Sequence, residues 1–305
     1  MTHDMKNTLL IILAALTAIA PAFAGTISKT YPLEGFTGIQ ASHIYRVHLT
    51  PSPDYYVSIE APDYLEPYLT VSVSRNQLVL RVTNLPKAIE RRLSKEKAGS
   101  IRAEVSMPVL ESVTLSGASS LVAEGDFPVL RGRPFKMDVS GAAKASGLSV
   151  QAGSMDIRMS GAASASISGG SDDVDLEASG ASKTKMRLTV TRVKADLSGS
   201  ADLDLGGAFD RVSIEASGAS HAKLESTSTL STLNLQCSGA SSVNTRDAMA
   251  DDVSVELSGA SNCKVNAIRR IEVEASGAST CSYEAAPGTR LDIIQVSRGS
   301  TLKKL

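Results

Sequence analysis

The chain has 305 residues with 31 basic and 32 acidic side chains, a net charge of −1 that leaves no electrostatic case for a nucleic-acid partner. Apolar residues are plentiful, but there is no Trp, and six of the seven Tyr lie before residue 70. A core of small and branched side chains suits thin, regular layers rather than a thick globular centre.

At the N-terminus, Leu9 to Ala20 is an apolar run too short to stay in a bilayer as a span. Pro21 breaks it, and Ala22-Phe23-Ala24 offers small residues at the two positions a signal peptidase reads. Residues 1–24 are therefore expected to be a secretory signal peptide cut before Gly25, with translation starting at Met1 or Met5. No cysteine follows the cut, so a lipoprotein is not expected. No later segment approaches about 20 apolar residues, so the exported chain is not expected to be an integral membrane protein. Its expected place is the periplasm, the outer surface or the medium.

Residues 25–110 carry alternating strands without a common motif, among them Tyr45–Leu49, Tyr56–Ile59, Leu69–Val73 and Leu78–Val82. They read as an irregular N-terminal β cap or first coils on the core that follows. Residues 86–99, with Lys87, Arg91, Arg92, Lys95 and Lys97, read as a solvated loop or short helix.

From residue 111 to 305 one motif dominates, Ser-Gly-Ala/Ser-Ser/Ala. Its glycines are Gly117, Gly141, Gly161, Gly180, Gly199, Gly218, Gly239, Gly259 and Gly277, at gaps of 24, 20, 19, 19, 19, 21, 20 and 18 residues. A degenerate tenth copy, Ser297-Arg298-Gly299-Ser300, closes the chain. Such a period marks a repeat architecture. The columns four and two residues before each glycine are apolar throughout, as in Val113 and Leu115 or Ile214 and Ala216, with polar residues between them. That alternation predicts a strand with one face buried. A second inward column stands four residues after the glycine, from Leu121 to Cys281. A third, looser side carries Phe127, Leu148, Leu188, Phe209, Leu230, Met249 and Ile268. Three sides in about 20 residues predict an all-β fold, a right-handed parallel β-helix of about ten rungs stacked about 4.8 Å apart. The glycine is read as a structural turn residue, because a sharp corner often needs positive φ. Its flanking serines are read as a ladder between neighbouring turns.

The signal peptide, the opening Phe36-Thr37-Gly38-Ile39, the step Met107-Pro108-Val109-Leu110 into Val113-Thr114-Leu115-Ser116-Gly117-Ala118-Ser119, and the run of SGAS copies together resemble the putative auto-transporter adhesin head GIN domain family. The resemblance covers roughly residues 30–305. It implies a β-helical fold, export and a surface-interaction role, and it brings no catalytic residues. No run of barrel strands follows the repeats, so an autotransporter pore is not expected.

No catalytic residue and no cofactor are expected. Carboxylates are regularly spread, Tyr283 is the only Tyr of the repeats, and of the histidines His43, His48 and His221 the close pair His43 and His48 is read as structural or solvated. The expected function is a noncatalytic scaffold for an envelope or host-surface component, protein or glycan. The alternative is a secreted carbohydrate-active enzyme, a polysaccharide lyase or hydrolase, which would need clustered carboxylates with a basic residue in a cleft. The sharpest candidate site is the column three residues before the glycine, with Asp138, Glu177, Asp196, Glu215, Glu256 and Glu274. Stacked like charges repel. Lys144, Lys183, Lys185, Lys223 and Lys264 on the adjacent side could relieve this, and so could bound divalent cations. The three cysteines, Cys237, Cys263 and Cys281, are expected to be buried thiols. Cys263 and Cys281 share one inward column, where in-register Cβ atoms point the same way and strain a disulfide.

Overall fold

The structure, a computed structural model, describes residues 25–95 and 101–305; the expected signal peptide and residues 96–99 of the basic excursion lie outside them. The repeats form a parallel β-helix in which each rung pairs with the next through in-register parallel strands. One ladder runs Val113, Met137, Ile157, Leu176, Ala195, Ile214, Leu235, Val255, Val273, Ile293. In six rungs, such as Ser164–Ala178 and Lys183–Leu197, a single bent strand covers two sides without a break. The two longest gaps between glycines correspond to breaks at Glu124–Arg133 and Thr227–Thr229 on the third side.

All three inward columns expected from the alternation are buried, including every residue from Val113 to Val273, from Leu115 to Ala275 and from Leu121 to Cys281. On the third side Phe127, Leu148, Leu188, Phe209 and Leu230 are buried as well. Met249 is not: it is 51% exposed, while Ala248 and Ala250 on either side are buried. A register irregularity between Asn244 and Met249 moves the alternation by one residue. Ile268 is only half-buried, with Ala267 inside. The degenerate tenth copy forms the last corner. Ala275 pairs with Val296 and Thr280 with Thr301, which sets Arg298 over Gly277.

The N-terminal region is folded onto the start of this stack. Its strands are β1 (Thr26–Thr30), β2 (Gly38–Ala41), β3 (Tyr45–Pro51), β4 (Tyr56–Pro62), β5 (Leu69–Ser74), β6 (Gln77–Val82) and β7 (Ile101–Met107), with helix α1 (Lys87–Lys95) before the last. The first repeat strands are β8 (Ser112–Leu115) and β9 (Ser120–Ala123). β2 lies parallel between β6 and β8, and β3 parallel between β7 and β9. Thus β2 and β3 make a rung in the same stack. The outer edges are closed by antiparallel strands, β5 on β6, β4 on β7 and β1 on β4. Such a cap removes the free parallel edge at this end. Phe36 and Tyr45, both fully buried, fill it. α1 leans Ile89 and Leu93 on the core, and the Arg92 guanidinium lies 4.0 Å from the Tyr64 ring centroid.

A groove beside the serine-glycine corner

Each corner is a close backbone contact. The alanine after the glycine donates its N–H to the carbonyl of the glycine one rung below, as Ala219 does to Gly199 at 2.7 Å. Gly218 itself has φ +69°, and a Cβ there would come within 2.6 Å of the Gly199 carbonyl oxygen. The nine motif glycines share this conformation, with φ between +68° and +74°.

The two serines differ. The one before the glycine donates to a carbonyl of the rung below, Ser179 to Met159, Ser217 to Leu197 and Ser276 to Leu257, at 3.2–3.3 Å. The one two residues after the glycine points into the core and is buried, as are Ser119, Ser182, Ser220, Ser241, Ser261 and Ser279. Some of these bond back to the corner, Ser119 to Ser116 and Ser279 to Ser276 at 2.9 Å. The hydroxyls of Ser182, Ser220 and Ser241 have no partner within hydrogen-bond distance. Two inward serines also reach the preceding rung, Ser119 to the Ala41 carbonyl at 3.3 Å and Ser261 to that of Cys237 at 3.2 Å, so the serines make an outer ladder and a partly bridged inward column.

Outside the corner runs a shallow groove of about 800 Å³. The candidate residues Asp138, Glu177, Asp196, Glu215, Glu256 and Glu274 line it together with Arg158, Gln236 and the outer serines. The strand pairings stack Asp138, Arg158, Glu177, Asp196, Glu215, Gln236, Glu256 and Glu274 in one unbroken column. All are exposed except the half-buried Asp196.

Repulsion in the column is relieved from within its own face, not by the lysines across the corner. Arg158 reaches Asp156 at 2.9 Å and Glu177 at 3.4 Å. Lys194 holds Asp196 at 2.9 Å, and that hydrogen bond raises the lysine pKa. Gln236 donates to Glu256 at 3.2 Å. Residues two apart on a strand share a face, so Arg158 with Asp156 and Lys194 with Asp196 pair inside one rung, while Arg158–Glu177 and Gln236–Glu256 join neighbouring rungs. The lysines across the corner pair locally instead: Lys183 with Asp202 and Lys185 with Asp204, each at 3.8 Å, and Lys223 with Glu225. Among the described residues, Asp138, Glu215 and Glu274 form no ion pair, and no three His, Cys, Asp or Glu side chains converge as metal ligands.

Sequence reasoning missed two features. His48 on β3 is bracketed by carboxylates, Nδ1 to Glu104 at 2.7 Å and Nε2 to Glu124 at 3.3 Å. Only the register of β3 with β7 and β9 reveals it. The second is the inward serine column, whose two-residue offset from the glycine was the available signal.

The family model for the putative auto-transporter adhesin, head GIN domain, matches residues 35–220 and 187–287. No curated protein matches the chain. Among solved structures, a putative adhesin from Parabacteroides distasonis is 13% identical with a TM-score of 0.52, covering 92% of this chain and 97% of its own. A putative adhesin from Parabacteroides merdae is 12% identical with a TM-score of 0.50, at 92% and 97% coverage. Both share the fold. With matches spanning most of the repeat region and its cap, the chain belongs to the putative auto-transporter adhesin, head GIN domain family.

Proposed function

We propose that the protein is an exported, noncatalytic scaffold that binds an envelope or host-surface component, protein or glycan, along the groove from Asp138 to Glu274. The observation that carries this reading is the form of the groove, a straight, open, periodic surface. A linear surface with one similar side chain per rung fits an extended or repetitive partner. The carboxylates follow the rungs instead of converging on one point. Family membership supports a surface role. Export rests on Leu9–Ala20 and the cut before Gly25, with β1 starting directly after it at Thr26. The absence of a cysteine at the cut argues against a lipid anchor.

A glycan array and a pull-down from envelope and host-surface fractions test the reading, run beside a Glu177→Gln/Glu215→Gln/Glu256→Gln variant. Binding that the variant loses supports the groove. A partner held equally by both proteins overturns the assignment. N-terminal sequencing of exported protein checks the cut at Gly25.

One observation favours the alternative of a carbohydrate-active enzyme: Arg158 stands among carboxylates in a groove. New reducing ends or unsaturated products from a polysaccharide panel would establish that reading.

A further inference from the structure

The nearly neutral chain hides a transverse separation of charge. Over the rungs from Gly141 to Gly277, the outward columns three and five residues before the glycine hold nine carboxylates against Lys136, Arg158 and Lys194. On the other side of the same corner, the columns three and five residues after the glycine hold five lysines, Lys144, Lys183, Lys185, Lys223 and Lys264, against Asp202 and Asp204. One sheet face of the rod is thus acidic and its neighbour basic. The acidic face is grooved by the site described above, and the basic face presents long, exposed side chains. Among the described residues, Lys144 and Lys264 form no ion pair, nor do Asp138, Glu215 and Glu274 opposite. Charges are left on both faces that the chain does not satisfy itself.

We infer that the groove takes a second copy of this chain, the lysine face of one rod lying along the acidic face of the next. This rests on the groove being the interaction surface and names its partner. Two arguments carry it. The first is charge complementarity, which steers association and suppresses like-with-like contacts. The second is period. Both faces belong to the same rungs, so both repeat about every 4.8 Å along the rod. The lysines stand on alternate rungs, those of Gly141, Gly180, Gly218 and Gly259, so side-by-side rods set an ammonium group against the acidic column about every 10 Å, and a lysine stem is long enough to enter a shallow groove. A ligand of another period would lose that match within a few rungs. The contact joins two different faces, so it is heterologous and does not close at a dimer. Rods add side by side into an open row.

Sedimentation velocity over a concentration series, at about 0.02 M and about 0.5 M salt, tests this. The expected result is growth in mean size with concentration at low salt, without a plateau at the dimer, and its loss at high salt. Charge reversals extend the test. Glu177→Lys/Glu215→Lys cuts the excess of carboxylates on the acidic face from six to two, and Lys144→Glu/Lys264→Glu turns the lysine face from an excess of three positive charges to an excess of one negative. Each variant alone is expected to associate about tenfold more weakly. An equimolar mixture of the two is expected to regain association, since the unaltered lysine face of the first complements the unaltered acidic face of the second. Equal thermal melting of all three proteins confirms that folding is intact. A wild-type protein that stays monomeric at every concentration and salt overturns the inference, as does association that the reversals leave unchanged. In either case a partner captured through Glu177, Glu215 and Glu256 would still stand, so this failure is separable from failure of the groove reading.

Discussion

His43 lies directly beneath Gly117 and takes the place of a motif glycine. The Ala118 N–H donates to the His43 carbonyl at 2.7 Å, as Ala142 does to Gly117 at 2.8 Å one rung on. His43 has φ +64°, within a few degrees of Gly117 at +69°. The stack of corners therefore begins at Ser42-His43, inside the segment that lacks the motif. A non-glycine residue in the left-handed region costs about 1–2 kcal/mol. His43 recovers part of that cost through Ser42 Oγ, 2.9 Å from its Nδ1. His43→Gly is expected to stabilise the protein by about 0.5–1 kcal/mol, after the greater flexibility of glycine in the unfolded chain is set against the relief. Thermal or urea unfolding measures it, and a destabilised variant would mean the imidazole makes a contact worth more than the strain.

Gly218 and Ser220 occupy one corner and should respond oppositely to substitution. Gly218→Val adds a β-branched side chain where φ is +69° and the Gly199 carbonyl blocks a Cβ, so a loss above about 3 kcal/mol is expected. Ser220 is fully buried and its hydroxyl has no partner. Replacing it by Ala removes an unsatisfied polar group, so Ser220→Ala is expected to be neutral or stabilising by up to about 1 kcal/mol. Equal melting temperatures for the two variants would refute the corner geometry.

The parallel stack was legible because alternation and period agree. The columns at Val113, Leu115 and Leu121 needed only counting from the glycine. Met249 was misplaced because a strand irregularity shifts the alternation locally, and small Ala248 and Ala250 give no hydropathy signal to mark it. The corner at His43 was hidden because spatial neighbours in the cap are distant in sequence. Between the rung of β2 and β3 and that of β8 and β9 the chain builds β4 to β7. Part of the relief for the acidic column comes from its own face rather than from the lysine side, and the two-residue spacing of Asp156 with Arg158 and of Lys194 with Asp196 is readable from the sequence.

His48 ties the cap to the rod in a pH-dependent way. Its imidazole joins Glu104 of β7 to Glu124, which follows β9. The hydrogen bond to Glu104 raises its pKa above the usual 6.5; burial opposes this, and Glu124 adds to the rise. A raised histidine pKa stabilises the fold fully below about 6.5, and the effect is lost as pH rises through the folded value. The three side chains are largely exposed, so the expected size is small. Against His48→Gln, the wild-type protein should melt on the order of 1 °C higher near about pH 5.5, with the gap closing by about pH 8.5. An NMR titration of the His48 ring checks the direction. A gap that stays constant with pH would remove the imidazolium from the account.

The cysteines provide the last test, because the rung register fixes their chemistry. Cys263 pairs in register with Cys281, and Cys237, Cys263 and Cys281 are all buried and free. Burial pushes the Cys237 thiol up to about 12, and Cys281 adds to the shift. The Cys263 thiol is raised well above its ordinary value, first by its hydrogen bond with Cys281 and then by burial. Only the thiolate attacks an alkylating reagent or a disulfide. At about pH 8 a thiol with a pKa near 12 is ionised about once in ten thousand molecules. Cys237 and Cys263 are therefore expected to resist a thiol reagent in the folded protein. All three, Cys281 included, are sealed from it by the rungs. Without reductant, the folded protein should titrate no thiol on the timescale in which the denatured protein titrates three. A single thiol after denaturation would mean that two of the cysteines had bridged, and that the parallel rungs shift enough to let Cys263 and Cys281 turn toward each other.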